Sequence, residues 1–223
     1  MRPLVVWDFN STILADTQAC IASGNHVITT YGGKAVPRNR YIATFSFPSI
    51  DFYSQQGVSR KALEKPGALD VFHEFYEPRA AKCRTRKGAR SVLFWLKNKG
   101  IDSVILSNHV ESAIRKQLER LGLDDYITRI LANTDTRATH KGNSKIEIMR
   151  DYFTNDDYSP TLSLIVGDSP EDISIGKELG LVTVGITGGY FSTSRLKAAN
   201  PDYLITRLDQ IIPIVKEGLL SRK

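Results

Sequence analysis

Short apolar runs, each stopped by a polar or charged residue, recur along the chain. Leu4 to Trp7 are four apolar residues in a row, halted by Asp8. "DSVILSN" (102–108), "RILAN" (129–133), "LSLIVGD" (162–168), "VTVGIT" (182–187) and "YLIT" (203–206) follow the same plan. The strongest runs are continuously apolar rather than alternating, as strands buried on both faces of a parallel sheet must be. Between them the spacing turns helical. Val92, Leu93 and Leu96 share one face of a helix that stops at Gly100, and Ile114, Leu118 and Leu121 share a face over Val110 to Leu121. Alternating strands and helices predict an α/β protein with a doubly wound, Rossmann-like parallel sheet. Ligands of such sheets bind at the carboxyl ends of the strands.

Residues 17–84 break this rhythm. Thr17, Ile21, Gly24, Ile28 and Tyr31 carry helical spacing closed by Gly32-Gly33, and residues 59–84 are helical in character with a break expected at Pro66-Gly67. "FSFPSIDFY" (45–53) reads as an aromatic-rich connection between them, and no strand is evident. The expected division is therefore a core formed by 1–16 and 85–223, with 17–84 inserted as a helical cap.

Composition narrows the class. At 223 residues the chain can bury a full core, and 41% hydrophobic with 24% charged residues is ordinary for a soluble globular protein. No apolar run approaches the roughly 20 residues that span a bilayer, and the four-residue run before Asp8 makes no signal peptide. Cys20 and Cys83 are too few for a disulfide framework or a zinc site, so a cytoplasmic setting is expected. The net charge of +6 favours anionic ligands. Its densest cluster, Lys82, Arg84, Arg86, Lys87 and Arg90, lacks interleaved aromatics and reads as a solvated face rather than a nucleic-acid groove.

Candidate chemistry lies at the strand ends. Asp8 should stand at the carboxyl edge of the sheet, although an aspartate there often makes only an Asx-turn. Ser107 closes "VILSN" likewise. It could cap the following helix, or its hydroxyl, the Asn108 amide and the helix N-terminus could bind a phosphate oxygen. "VGDSPEDISIG" ends another buried strand on Asp168, with Asp172 four residues later. Ser169 as N-cap, Pro170 at the first helical position and a Ser169/Asp172 pair explain Asp172 by capping alone. Capping does not explain Asp168. Two strand-end carboxylates at one edge repel unless a cation lies between them, and a hard divalent ion such as Mg²⁺ suits oxygen ligands. Lys141 and Lys145, in "HKGNSKIEIMRDYF" (140–153), could each offset that charge.

Taken in order, these pieces resemble the haloacid dehalogenase-like hydrolase superfamily over nearly the whole chain. An insert directly after the first motif is similar to the helical cap of its phosphoglycolate-phosphatase-like branch. The chain looks closest to a group with W-D-[FW]-N-G-T-L-L-D-D, F-G-F-P and S-K-x-E motifs, here "WDFNSTILAD", "FSFP" and "SKIE". The last match selects Lys145 over Lys141. Ser11 replaces the group's glycine, and Ala15 the first of its two terminal aspartates.

The resemblance implies a Mg²⁺-dependent phosphatase acting on a small phosphorylated metabolite. Asp8 would be the nucleophile, forming an aspartyl-phosphate. Asp8, the Asn10 backbone carbonyl, Asp168 and Asp172 would hold the metal, and Thr12, Ser107, Asn108 and Lys145 the phosphate. Position 10 is an aspartate in many family phosphatases, where it protonates the leaving group. Asn10 has no such proton to give, which disfavours a mutase. His26 and His109 are the substitute acids to consider. A dehalogenase and a phosphonatase also lack that aspartate. The retained GDxxxD opposes the first, and none of Lys34, Lys61, Lys65 or Lys82 has a recognisable context for the second. A catalytically weak binding protein is the remaining alternative. Arg38, Arg40 and Phe45 to Pro48 are the cap features expected to bear on specificity.

Overall fold

The computed structural model describes residues 2–134 and 145–218. Six strands, β1 (Leu4–Trp7), β2 (Asp102–Val110), β3 (Arg129–Asn133), β4 (Leu164–Gly167), β5 (Val182–Ile186) and β6 (Tyr203–Ile205), form one sheet in the order β3-β2-β1-β4-β5-β6. Every neighbouring pair is parallel. This is the doubly wound α/β architecture expected from the alternation.

The continuous apolar character of β1 follows from its position. Leu4 and Val6 point into one core, with Met149, Tyr152 and Ile175, while Val5 and Trp7 point into the other, with Val92, Leu93 and Leu96. The first core is covered by helices α8 (Lys145–Asn155) and α9 (Pro170–Leu179), the second by α6 (Ala89–Asn98) and α11 (Ile211–Gly218). Two further helices, α7 (Glu111–Leu121) and α10 (Thr193–Ala198), complete the crossovers. The chain winds from β1 to β3 on one side and from β4 to β6 on the other. The order therefore reverses between β1 and β4, and a crevice opens at their carboxyl ends. Asp8 and Asp168 are the residues that follow those two strands.

Five helices separate β1 from α6: α1 (Thr17–Thr30), α2 (Arg38–Thr44), α3 (Ser49–Gln55), α4 (Arg60–Leu63) and α5 (Asp70–Ala80). The chain leaves and re-enters the core through one paired segment. Ala15 N donates to Arg84 O at 2.8 Å, Arg86 N donates to Ile13 O at 2.8 Å, and Leu14 bridges Thr85. The expected break at Pro66-Gly67 falls between α4 and α5, where Gly67 has φ +77°.

Three expectations are corrected. The "FSFPSIDFY" connection is partly helical, because Pro48 supplies the N-cap position of α3. β2 does not end at Asn108 but runs to Val110, with an irregularity in its pairing to β3 between Leu106 and Val110. The basic cluster is not wholly solvated. Arg86 turns inward to donate to Ser11 O (2.9 Å) and Thr187 O (2.5 Å), and Arg90 reaches the carbonyls of Leu121 and Gly122 beyond α7. No described helix is long and apolar enough to cross a membrane.

Candidate active site

The crevice between β1 and β4 holds a buried charged cluster. The carboxylates of Asp8, Asp168 and Asp172 each bring an oxygen within 4.8 Å of the others, and all three residues are buried. Lys145, at the start of α8, is buried beside them. Its Nζ donates to Asp8 Oδ1 at 2.8 Å and to Asp172 Oδ1 at 2.9 Å. Lys141 lies outside the described residues.

Local sequence explains each placement. Asp8 N donates to Val166 O at 2.9 Å, so the β1–β4 ladder carries one residue beyond the strand and fixes the carboxylate at its edge. Ser169 caps α9 with Pro170 in its first turn, and Ser169 with Asp172 forms a complete capping box. Asp172 Oδ2 accepts from Ser169, which leaves Oδ1 for Lys145. Capping and charge pairing are thus both true of Asp172. Glycine is required beside these groups. A Cβ on Gly167 would collide with the Asp172 carboxylate, and one on Gly189 with that of Asp168.

Ser107 and Asn108 line the same cavity as Asp8 and Lys145, but the helix-terminus part of their expected role is corrected. Because β2 continues to Val110, α7 begins only at Glu111, so Ser107 does not cap it. Ser107 Oγ instead accepts from His109 N at 3.1 Å, and Asn108 Nδ2 donates to Glu171 at 3.2 Å. Thr12 is fully buried, with its hydroxyl beside the Asp8 carboxyl, and is not among the residues lining the cavity.

Asn10 is a tether. Its Nδ2 donates to Asp16 Oδ2 at 2.9 Å and to the Tyr76 hydroxyl of α5 at 2.7 Å. Asp16 Oδ2 also accepts from the hydroxyls of Tyr76 and Tyr190, and Asp16 Oδ1 accepts from Ser11 N at 2.6 Å. A carboxylate at position 10 would lose the amide donor and face Asp16 directly. Ser11 itself sits at φ +63°, the left-handed region that glycine adopts freely. Its Oγ lies 2.5 Å from Thr17 Oγ1, and its carbonyl accepts from Arg86, so local bonds offset the backbone cost.

A second cluster borders the cavity where α5 meets β2. His109 Nε2 lies 3.2 Å from Glu77 Oε1, and the His73 and His109 rings stack 5.9 Å apart. Both imidazoles line the cavity, whereas His26 stacks on Phe75 and does not line it. Arg38 and Arg40 are exposed and away from the lining, while Phe45 and Phe47 belong to it. Cys20 also lines it, but burial and the nearby Asp16 push its thiol up and keep it protonated.

Electrostatics set the cluster's character. Burial pushes the Asp8 carboxyl from its ordinary 3.8 up to about 7, with Asp172 adding to the rise and Lys145 opposing it. Burial together with Asp8 and Asp172 raises Asp168 well above its ordinary value, and burial raises Glu171. Burial acts to lower Lys145, but Asp172 and Asp8 outweigh it and hold the ammonium charged. The pH consequence has a definite sign. Between 3.8 and about 7 the folded protein keeps a proton on Asp8 that the unfolded chain releases, so stability is lost as pH rises through this window. In excess chelator, Asp8→Asn is therefore expected to gain several °C in melting temperature over the wild type between about pH 4 and 7. A difference that stays constant over that range would contradict the assignment.

The chain and its fold have relatives among known proteins. The family model for haloacid dehalogenase-like hydrolases matches residues 5–186. IndB of Dickeya dadantii, named a probable phosphatase, is 26% identical over 220 residues, covering 95% of this chain and 93% of its own. A phosphoglycolate phosphatase of Synechococcus elongatus is 20% identical over 96% of this chain and 97% of its own. The crystal structure of a predicted phosphatase from Clostridium acetobutylicum superposes with a TM-score of 0.80 at 16% identity, covering 97% of this chain and 99% of that one.

Proposed function

The chain belongs to the haloacid dehalogenase-like hydrolases, as its family match over residues 5–186 establishes, and from that premise we propose a metal-dependent phosphatase with Asp8 as nucleophile. The observation that carries this reading is the buried Lys145 ammonium bonded to both Asp8 and Asp172, beside Asp168. A lone strand-end aspartate could be a turn residue. Three buried carboxylates around one lysine, at the sheet's topological switch point, are costly unless they serve a purpose.

The donor set fits a hard divalent cation. Asp8, Asp168 and Asp172 offer carboxylate oxygens within 4.8 Å of one another, and Asn10 lines the same cavity, where its backbone carbonyl could join them. Mg²⁺ there would offset charge and act as a Lewis acid toward a phosphoryl oxygen. The protein's own groups do the rest. An Asp8 oxygen attacks phosphorus, the ester P–O bond breaks with its electron pair going to the leaving oxygen, and that oxygen takes a proton from solvent water. Water then attacks the aspartyl-phosphate, releasing inorganic phosphate and the Asp8 carboxylate. Lys145 and Ser107 hold phosphoryl oxygens, with the buried Thr12 hydroxyl beside Asp8. The helices of residues 17–84 act as a cap that covers the site, with the paired segment at Leu14 and Thr85 as its hinge.

Asn10 makes the leaving group decisive. With its amide committed to Asp16 and Tyr76, position 10 supplies no proton. Acetyl phosphate, whose leaving group carries its charge well, is expected to exceed ethyl phosphate in kcat/KM by about 10² or more. Steady-state kinetics on the two esters measures the ratio. Comparable values, with chemistry shown to limit the rate, would mean that another acid serves. His109, oriented by Glu77 at the cavity edge, is the group then to replace.

A further inference from the structure

The cavity's lining divides by origin. The ends of β1 and β4 contribute Asp8 and Asp168, the first turn of α9 contributes Glu171 and Asp172, and Lys145 is the one lysine or arginine among the described lining residues. Its ammonium is already bonded to Asp8 and Asp172. The helices before α6 contribute mostly rings. Phe45 and Phe47 meet at a centroid distance of 5.0 Å, and Phe191, from the loop after β5, lies 5.7 Å from Phe45 and 6.5 Å from Phe47. These three rings make a continuous apolar panel built from both parts of the chain. Phe47 is 42% exposed and supplies the open apolar surface of this panel, while Phe45 and Phe191, nearly buried at 3% and 6%, back it along the cavity lining.

Two physical arguments converge on the bound molecule. Apolar surface left open on a cavity wall gains free energy when a ligand covers it, and edge or offset contacts with an aromatic ring add to that gain. A second anionic group on the ligand would meet four carboxylates and no uncommitted cation among the described lining residues. The Synechococcus relative is named for phosphoglycolate, whose organic half is a carboxylate. This lining favours a different organic half.

Resting on the phosphatase reading above, we propose that the substrate is a phosphate monoester whose organic part is an uncharged aromatic group seated against Phe45, Phe47 and Phe191. The phosphate faces Asp8 and Lys145, and the ring covers the open face of Phe47, with Phe45 and Phe191 packed behind it.

The test compares 2-phenylethyl phosphate, ethyl phosphate and 2-phosphoglycolate in Mg²⁺, three esters of aliphatic alcohols, so that leaving-group chemistry does not sort them. The phenyl ester is expected to exceed both others in kcat/KM by about tenfold to hundredfold, the range that burying one ring supports. Phe47→Ala removes the most exposed ring of the panel, and should shrink the phenyl-to-ethyl ratio by about tenfold. Phosphoglycolate matching or beating the phenyl ester would overturn the proposal, as would a ratio indifferent to Phe47→Ala. Should neither these esters nor acetyl phosphate be hydrolysed, the phosphatase reading fails instead. Calorimetric binding of benzylphosphonate against phosphonoacetate then still decides this inference: tighter binding of the first supports it, and equal or weaker binding overturns it.

Discussion

Asp8→Asn is expected to lower turnover of any phosphate ester by at least about 10⁴-fold, because on the proposed reading it replaces the carboxylate that accepts the phosphoryl group. The change is nearly isosteric. Asp8 N keeps its bond to Val166 O, and Lys145 keeps Asp172, so the strand end and the ammonium stay where they are. It also deletes one of three mutually repelling buried carboxylates, so the metal-free variant should fold at least as well as the wild type near neutral pH. Loss of activity in a protein of normal or raised melting temperature is therefore the expected pair of results. Acid-quenched wild-type enzyme given acetyl phosphate should carry a phosphoryl group on the peptide containing Asp8, readable by mass spectrometry. A variant retaining activity within about tenfold of wild type, with no labelled peptide, would remove Asp8 from the chemistry.

Much of this site was legible because its residues occupy positions that patterning can define. Asp8 and Asp168 each end a continuously apolar run, and that run length already places them at the carboxyl edge of a buried parallel sheet. Asp172 was legible through its capping spacing, although capping alone could not reveal the bond to Lys145. What stayed hidden depends on residues far apart in sequence. Asp16 gathers donors from Asn10, Tyr76 and Tyr190, and no local pattern links those positions. Arg86 looked like one member of a solvated basic run, yet the paired segment at Leu14 and Thr85 turns it toward Ser11 O. The continuation of β2 through Asn108 and His109 broke the apolar rule because the strand end there faces the cavity rather than a core. Helix α3, only seven residues long and rich in aromatics, carries too little periodicity to show itself.

Chelation is expected to reduce turnover by more than about 10³-fold, with Mg²⁺ restoring it. With the carboxylates ionised, Asp8, Asp168, Asp172 and Lys145 together carry two net negative charges, and a phosphate monoester brings about two more. At separations near 5 Å and an effective dielectric of about 20, that meeting is unfavourable by on the order of 10 kcal/mol. Lys145 adds no further relief, since its single positive charge, bonded to Asp8 and Asp172 at 2.8 and 2.9 Å, is already counted in that balance. Protonation offers only a partial escape. Asp8 sheds its proton near pH 7, and a protonated Asp8 is no nucleophile. A divalent cation would cancel the two net charges while leaving Asp8 ionised, so on the proposed reading the same site would both need a metal and hold it. Asp168→Asn should weaken Mg²⁺ activation severely, raising the concentration for half-maximal activity and lowering the plateau, while Tyr190 N can still donate to the remaining amide oxygen. Turnover that persists undiminished in excess chelator would show that this cluster balances its charge without a metal. The reaction would then belong to the metal-independent branch of the superfamily's chemistry, such as dehalogenation, rather than to phosphate transfer.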